Sequence, residues 1–339
     1  MYKLSHYNYD LPKELIAKYP VEPRDSCKLM VLNRKDRSIE HRIFRDIGEY
    51  FKEGDLLVLN DTKVIPARLF GKKEKTGTRV EILLLNPITD NIWEALGRNI
   101  RRVKLGQKII FGEDFYCELL EKYQDGKIKI RLHSTESIKK AIYKYGHIPL
   151  PPYIGREDEK KDRELYQTVF AKKEGAVASP TAGLHFTKRL LEELKSKGIN
   201  IAFITLHVGI GTFKPIKTED ITKHKMHEEY YQIPDETLKL IDETKRKNRK
   251  VIAVGTTVVR ALETYGKSNK SEGFSNIYIY PPFNFKIVDA LITNFHLPKS
   301  TLLLLVSAFA GRDFIMEAYK EAIKRRYRFF SYGDAMLIL

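Results

Sequence analysis

"KVIAVGTTVVRALETYG" (250–266) decides the fold of this chain. A short apolar run ends at Gly255, two threonines follow, and apolar residues then recur at helical spacing. The stretch reads as a buried strand, a tight corner and a helix that stops at Gly266. Repeated along a chain, that unit builds an α/β layer with a mostly parallel sheet.

Outward from this corner the same texture recurs. "TKRLLEELKSKG" (187–198) predicts a helix with Leu190, Leu191 and Leu194 on one face, Thr187 as its N-cap and Gly198 as its stop. "INIAFITLHV" (199–208) and "VDALITNF" (288–295) read as buried strands, and "PDETLKLIDETKRKN" (234–248), "STLLLLVSAFAG" (300–311) and "DFIMEAYKEAIKRRY" (313–327) as helices. "KLMVLNR" (28–34) predicts a strand and "IFRDIGEYF" (43–51) a helix. From about 55 to 135 the texture changes. Short β-type runs recur, separated by Gly, Asn or Asp, as in a small antiparallel barrel or sandwich. The prolines of "HIPLPPYIG" (147–155) close that region, since proline blocks helix continuation and ladder hydrogen bonds. The expected architecture is a discontinuous α/β domain (1–60 and 150–339) interrupted by an inserted basic β-barrel domain (61–149).

The 339 residues carry 60 Lys and Arg against 44 Asp and Glu, a formal charge of +16. Such a field attracts polyanions and points to nucleic acid, although a solvated Lys- and Glu-rich surface has the same composition. Two cysteines, Cys27 and Cys117, build no disulfide framework, which favours a reducing, cytoplasmic setting. The amino-terminal stretch is too charged for a signal peptide, and the apolar run at 302–311 is about half the length of a membrane span. No membrane association is expected.

Polar residues gather where strands end. Thr256 and Thr257 open a helix whose free N–H groups and dipole suit a carboxylate or phosphate, with Arg260 one turn on; the plain alternative is that the threonines only cap. Asn294, His296 and Ser300 follow the next strand, and ligands in α/β sheets bind beyond carboxyl strand ends. His296 could equally be a core histidine. "ITLHVGIGTFKPI" (204–216) places His207, Gly209 and Gly211 after a third strand, where glycine lets a ligand approach the backbone. In "SPTAGLHFT" (179–187), Thr181, Gly183 and His185 precede a helix; Pro180 and Gly183 are expected to turn Thr181 and His185 toward a substrate. His227 and Glu228 in "KHKMHEEYY" (223–231) suit proton transfer better than zinc, because the following residues read as a strand and H-x-x-H-E is not a zincin arrangement. No metal is expected. A phosphate loop is ruled out by Ala261 where its first glycine would stand, and no G-x-S-x-G elbow occurs. Basic residues concentrate at Lys63, Arg68, Arg98, Arg101, Arg102 and Lys104, with Arg325, Arg326 and Arg328 beside aromatics at the carboxyl end. Both sets suit RNA phosphates and stacked bases.

Taken together, "YDLPKELIAKYPVEPRD", "GDLLVLNDTKVIPARL", "SPTAGLHFT", "LHVGIGTFKP", "HKMHEE", "AVGTTVVRALE", "TNFHLPKSTLLLLVSAFAG" and "YRFFSYGDAMLIL" resemble the S-adenosylmethionine:tRNA ribosyltransferase-isomerases of queuosine biosynthesis, from Tyr9 to Leu339. One turn departs from that pattern: Asn99-Ile100 stands where a Pro/Gly-type turn is expected. The resemblance implies a similar interrupted α/β fold. It also implies transfer and isomerisation of the ribosyl part of S-adenosylmethionine onto 7-aminomethyl-7-deazaguanine at the wobble position of tRNA, giving epoxyqueuosine, adenine and methionine. S-adenosylmethionine is then a consumed substrate, and no cofactor is implied. On that reading His185, His227 and Glu228 are proton-transfer candidates, the Thr256, Thr257 and Arg260 corner holds the methionine carboxylate, and Asp61 or Asp334 pairs with an ammonium or sulfonium unless each only caps a turn. A monomer is expected. The competing readings are a non-catalytic tRNA-binding protein and an S-adenosylmethionine-dependent RNA methyltransferase.

Overall fold

The computed structural model describes residues 2–209 and 216–339. In chain order the strands before the insertion are β1 (Lys28–Leu32), β2 (Ile39–Ile43), β3 (Leu56–Asn60) and β4 (Thr62–Val64). The insertion holds β5 (Arg68–Lys73), β6 (Arg79–Pro87), β7 (Ile92–Arg98), β8 (Lys108–Ile110), β9 (Phe115–Lys122) and β10 (Lys127–Ser134). Helices α1 (Ile138–Tyr145) and α2 (Asp162–Leu165) lead back to β11 (Lys173–Ala176), α3 (Lys188–Ser196), β12 (Asn200–Leu206), β13 (Glu229–Gln232) and α4 (Asp235–Arg246). The chain then runs through β14 (Val251–Val254), α5 (Thr256–Ser268), β15 (Glu272–Ser275), β16 (Ala290–Asn294), α6 (Thr301–Ala310), α7 (Arg312–Lys324) and β17 (Ala335–Ile338).

Among the described residues one nine-stranded sheet runs β15-β13-β12-β3-β14-β16-β17-β1-β2. Its centre, β12-β3-β14-β16, is parallel throughout. The flanks are mixed: β13, β15 and β2 pair antiparallel with their neighbours, as does β17 with β16. Parallel pairing therefore holds through the core strands and returns at β17–β1, while the other flanking pairs are antiparallel, because those strands are not joined by crossover helices.

The apolar runs of the centre are explained by burial on both faces. Leu56 and Val58 of β3 face the cluster built with α4 to α7, while Leu57 and Leu59 face the one holding α3 and the 3-10 turn Phe44–Tyr50. All four are fully buried, at about 1.5–3 kcal/mol each. That anchorage keeps the carboxyl end of β3 in place.

Strands β10-β7-β6-β5-β8-β9 close the barrel, with inward residues such as Ile82, Ala95, Leu119 and Ile130 forming its core. Pro66 separates β4 from β5, so Leu56–Asn60 belongs to the large sheet and β4 pairs in parallel with β11 as a small ribbon. At Asn99 the backbone has φ 63°, so an asparagine makes a left-handed turn where a Pro/Gly-type turn was expected.

Two helical expectations change. Helix α5 continues through Gly266 to Ser268 and ends at Asn269, whose φ of 57° makes the left-handed cap. Gly266 sits inside because Ile287 lies 3.3 Å from where its Cβ would stand. Residues 43–51 form the edge of β2 and a 3-10 turn, not an α-helix; Leu194 of α3 lies 3.1 Å from where a Cβ on Gly48 would be. Among the described residues no helix is long and apolar enough to cross a membrane.

Candidate active site

The four central parallel strands end on one rim. Past the carboxyl ends of β14 and β16 lies a mostly apolar cavity of about 220 Å³, into which Thr181, Thr256, Thr257, Asn294, His296 and Ser300 all open. Gly255 makes the corner between β14 and α5. Its φ of 95° is costly for any residue with a Cβ, and its N–H is fixed to the Ile292 carbonyl at 2.8 Å. Thr256 and Thr257 therefore begin α5 with N–H groups that have no carbonyl one turn back.

A chain of side chains sets this wall. Thr181 Oγ1 donates to Asn294 Oδ1 at 3.0 Å, and Asn294 Nδ2 donates to the Phe330 carbonyl at 3.2 Å. A carbonyl only accepts, so the amide orientation is fixed, and the same Nδ2 donates to His185 Nε2 at 3.0 Å. The His185 proton then sits on Nδ1, aimed at Cys27 Sγ at 3.2 Å. Burial, with Arg328 and Arg24 adding, pushes the His185 pKa down to about 3. Contrary to expectation His185 does not face the cavity; it is a neutral ring behind the wall that orients Asn294. Gly183 is also behind the wall, with Phe170 and Thr168 2.9 Å from where a Cβ would stand.

His296 does line the cavity. Its Nε2 meets Thr293 Oγ1 at 2.9 Å, and burial pushes its pKa down to about 3. Ser300 caps α6, accepting from Leu303 N at 3.2 Å and donating to the Leu297 carbonyl at 2.7 Å. Sequence reasoning missed Ser179, whose buried hydroxyl on the cavity wall has no partner among the described residues. It also missed the Tyr153–Ser331 hydroxyl pair at 2.7 Å on the same wall.

Val208 is shared with a second, more polar cavity of about 530 Å³ between the sheet and the barrel. His207, Gly209, His227 and Glu228 open into it, facing Asn86, Glu94 and Leu96 of the barrel. His207 Nδ1 meets Thr62 Oγ1 at 2.8 Å; burial lowers its pKa, partly offset by Asp61. Tyr230 stacks on the His207 ring at 6.0 Å, and Phe274 meets Tyr230 edge-on at 5.8 Å.

The whole chain from residue 4 to 338 matches the family model described as queuosine biosynthesis protein. The chain belongs to the queuosine biosynthesis protein family. A relative from Sulfurihydrogenibium sp. (strain YO3AOP1) is 70% identical over 337 residues, covering 99% of this chain and 100% of its own. One from Aquifex aeolicus (strain VF5) is 58% identical over 339 residues, with 99% and 100% covered. Both are named S-adenosylmethionine:tRNA ribosyltransferase-isomerase. A solved structure, S-adenosylmethionine tRNA ribosyltransferase from Thermotoga maritima, is 45% identical with a TM-score of 0.57, over 98% of this chain and 100% of that one.

In this family member several expected site residues do structural work. Arg260 lies on the Thr256 side of α5 but points away from the rim cavity, into a buried ion pair with Glu229. Its Nη2 also donates to the Ser275 carbonyl at 3.2 Å, and Glu229 accepts from Gly209 N at 2.8 Å. Its charge is thus neutralised before any substrate arrives. Asp61 accepts from Thr205 Oγ1 at 2.6 Å, and Asp334 accepts from Lys28 N at 3.0 Å and Arg328 N at 2.7 Å; both carboxylates are buried and line neither cavity. Burial, partly offset by Arg328 and Lys28, raises the Asp334 pKa. Gly211 lies outside the described residues. Among the described residues no group of three His, Cys, Asp or Glu could hold a metal.

The basic residues divide. Arg98, Arg101, Arg102 and Lys104 are exposed on the barrel. Lys63 pairs with Glu174 at 3.2 Å and Arg68 with Glu81 at 2.7 Å. At the carboxyl end Arg325 pairs with Glu321 and Arg328 donates to the Tyr19 carbonyl at 3.1 Å, while Arg326 is exposed.

Proposed function

We propose that this chain is an S-adenosylmethionine:tRNA ribosyltransferase-isomerase. It moves the ribosyl part of S-adenosylmethionine onto 7-aminomethyl-7-deazaguanine at the tRNA wobble position, forming epoxyqueuosine and releasing adenine and methionine. One observation carries the reading: an apolar cavity at the rim of the sheet and a polar cavity beside a basic barrel share Val208 as a wall residue. On this reading the adenine and methionine ends of S-adenosylmethionine enter the first. Phe295, Phe330 and Leu302 offer apolar walls for adenine, and the first N–H groups of α5 suit the methionine carboxylate. The ribose then lies toward Val208, where tRNA arrives from the barrel side. The sulfonium acidifies its neighbouring carbon, and in this reading His227 and Glu228 move the protons. His185 acts through Asn294 as a positioning residue. The reading includes a cytoplasmic monomer, with Arg98, Arg101, Arg102 and Lys104 holding phosphates.

The test is incubation with labelled S-adenosylmethionine and tRNA bearing the aminomethyl base. Release of adenine and methionine is the expected result. S-adenosylhomocysteine would instead indicate methylation, and binding without turnover a carrier; either overturns the reading.

A further inference from the structure

The cavity between barrel and sheet has features that the S-adenosylmethionine half of the reaction does not use. Phe274 on β15 is 68% exposed, an aromatic ring held in water with no core to join. It continues a ladder of rings, His207, Tyr230 and Phe274, along the cavity wall. Every base has a π-face, so such a ladder is a stacking platform for an unstacked nucleotide. The carboxylates here are also unequal. Glu94 is held by Lys127 at 3.1 Å and Asn86 at 3.3 Å, Asp125 faces Lys127 at 3.8 Å, and Glu229 is paired with Arg260. Glu228 is exposed, and its carboxylate has no partner among the described residues.

The approach to this cavity has its own chemistry. Residues on β5, β6 and β7 alternate, and Arg68, Leu83 and Leu96 align across the ladder on the outer face of the barrel. On the same face Arg98 stands opposite Glu81, and the Arg68 guanidinium lies 5.1 Å over the exposed Phe70 ring. This strip, two arginines that share Glu81 and the exposed Phe70 ring, ends at Glu94, the barrel wall of the cavity. It suits a single-stranded segment whose backbone follows the cations.

Resting on the proposed activity, we infer that this cavity is the acceptor-base site: the wobble nucleobase leaves its stack, lies on the exposed Phe274 ring with Tyr230 at its edge, and sets its aminomethyl ammonium against the Glu228 carboxylate. A carboxylate with no partner among the described residues, on the wall of a cavity in a +16 protein, selects a cationic group among polyanionic RNAs. Glu228 thereby determines which wobble base is accepted, and the rings supply affinity that does not depend on the base substituent.

The test uses the full chain and two anticodon stem-loop RNAs at one salt concentration, measured by fluorescence anisotropy. One RNA carries 7-aminomethyl-7-deazaguanine and the other the uncharged 7-cyano-7-deazaguanine. The wild-type chain binds the amine RNA about tenfold more tightly. In Glu228→Gln that preference falls to within about twofold while the Kd for the nitrile RNA is unchanged. Phe274→Ala weakens both RNAs by the same factor, about fivefold or more. Both side chains are exposed, and thermal unfolding at the wild-type temperature confirms that the variants fold. A Glu228→Gln chain that keeps the preference, or a Phe274→Ala chain that binds like wild type, overturns the acceptor-base site. Adenine release by the wild-type chain separates the two levels. If it occurs, either of those results removes the subsite and leaves the activity standing; if it does not, the activity and the subsite fall together.

Discussion

The rim cavity and the barrel-side cavity share Val208 but are built from different material. Around the first, buried polar groups are consumed by one another: Thr181 by Asn294, Asn294 by His185, and His185 by Cys27. Around the second, side chains such as Phe274 and Glu228 remain in water. A buried polar group must be satisfied to be tolerated, so most of those at the rim are wall-builders, and the few left unsatisfied mark where a ligand can enter. At an open junction, exposure is cheap, and the informative residue is an apolar ring or a carboxylate that nearby partners could have covered and did not.

The contrast breaks most sharply at Arg260. Arg260→Met should leave Glu229 charged and buried and lower unfolding free energy by about 3–5 kcal/mol in urea titrations, whereas Arg260→Met with Glu229→Met should recover most of it. If the single variant instead keeps its stability and loses only affinity for S-adenosylmethionine, Arg260 belongs to the ligand and not to the wall. Gly255→Val is next. Forcing a β-branched residue to φ 95° costs about 1–3 kcal/mol and should cut adenine release about 10- to 100-fold. Amine-RNA binding at the barrel-side cavity should change little.

The histidines give a pH signature. His185 and His296 titrate near 3 when folded, below the ordinary histidine value, so the unfolded chain binds more protons between about pH 3 and 6.5. Stability is therefore fully present above that window and lost as pH falls through it, by up to about 1.4 kcal/mol per pH unit for each ring. His296→Gln should flatten the slope of unfolding free energy against pH. An unchanged slope would mean that the ring is not held neutral. Smaller effects test the residues that have no structural duty. Ser179→Ala should raise the KM for S-adenosylmethionine about three- to tenfold with the unfolding midpoint unmoved. Arg101→Ala, on the exposed barrel surface, should weaken all tRNAs about two- to threefold and reduce the salt slope of binding by about one.

Much of the architecture was legible because local rules and global packing agree. Thr187 and Ser300 cap the helices that their sequence positions predict, accepting from Leu190 N and Leu303 N. The apolar runs at 56–59 and 251–254 mark strands buried on both faces. The antiparallel flanks were not legible, since strand direction depends on which neighbour a strand meets and not on its own residues. Site residues followed the same division. Helical spacing places Arg260 near the Thr256 face, but only the fold brings Glu229 of β13 to it. A histidine before a helix looks the same whether it faces solvent or, as His185 does, Cys27 and Asn294. Ser179 was hidden because a serine beside a proline reads as a turn residue.

The point where the chain leaves the large sheet for the barrel has one more consequence. The Asp61 carbonyl accepts from both Lys172 N at 2.7 Å and Lys173 N at 3.1 Å, so a detour of over a hundred residues begins and ends on one peptide group. That clasp is extended by the β4–β11 ribbon and by Gln167 on the Val64 backbone, and the entropy of closing the detour changes only slowly with the length of what it encloses. The barrel's turns can therefore lengthen, shorten or change charge to follow different RNAs while β3 and β4 on either side of Asp61 keep their register.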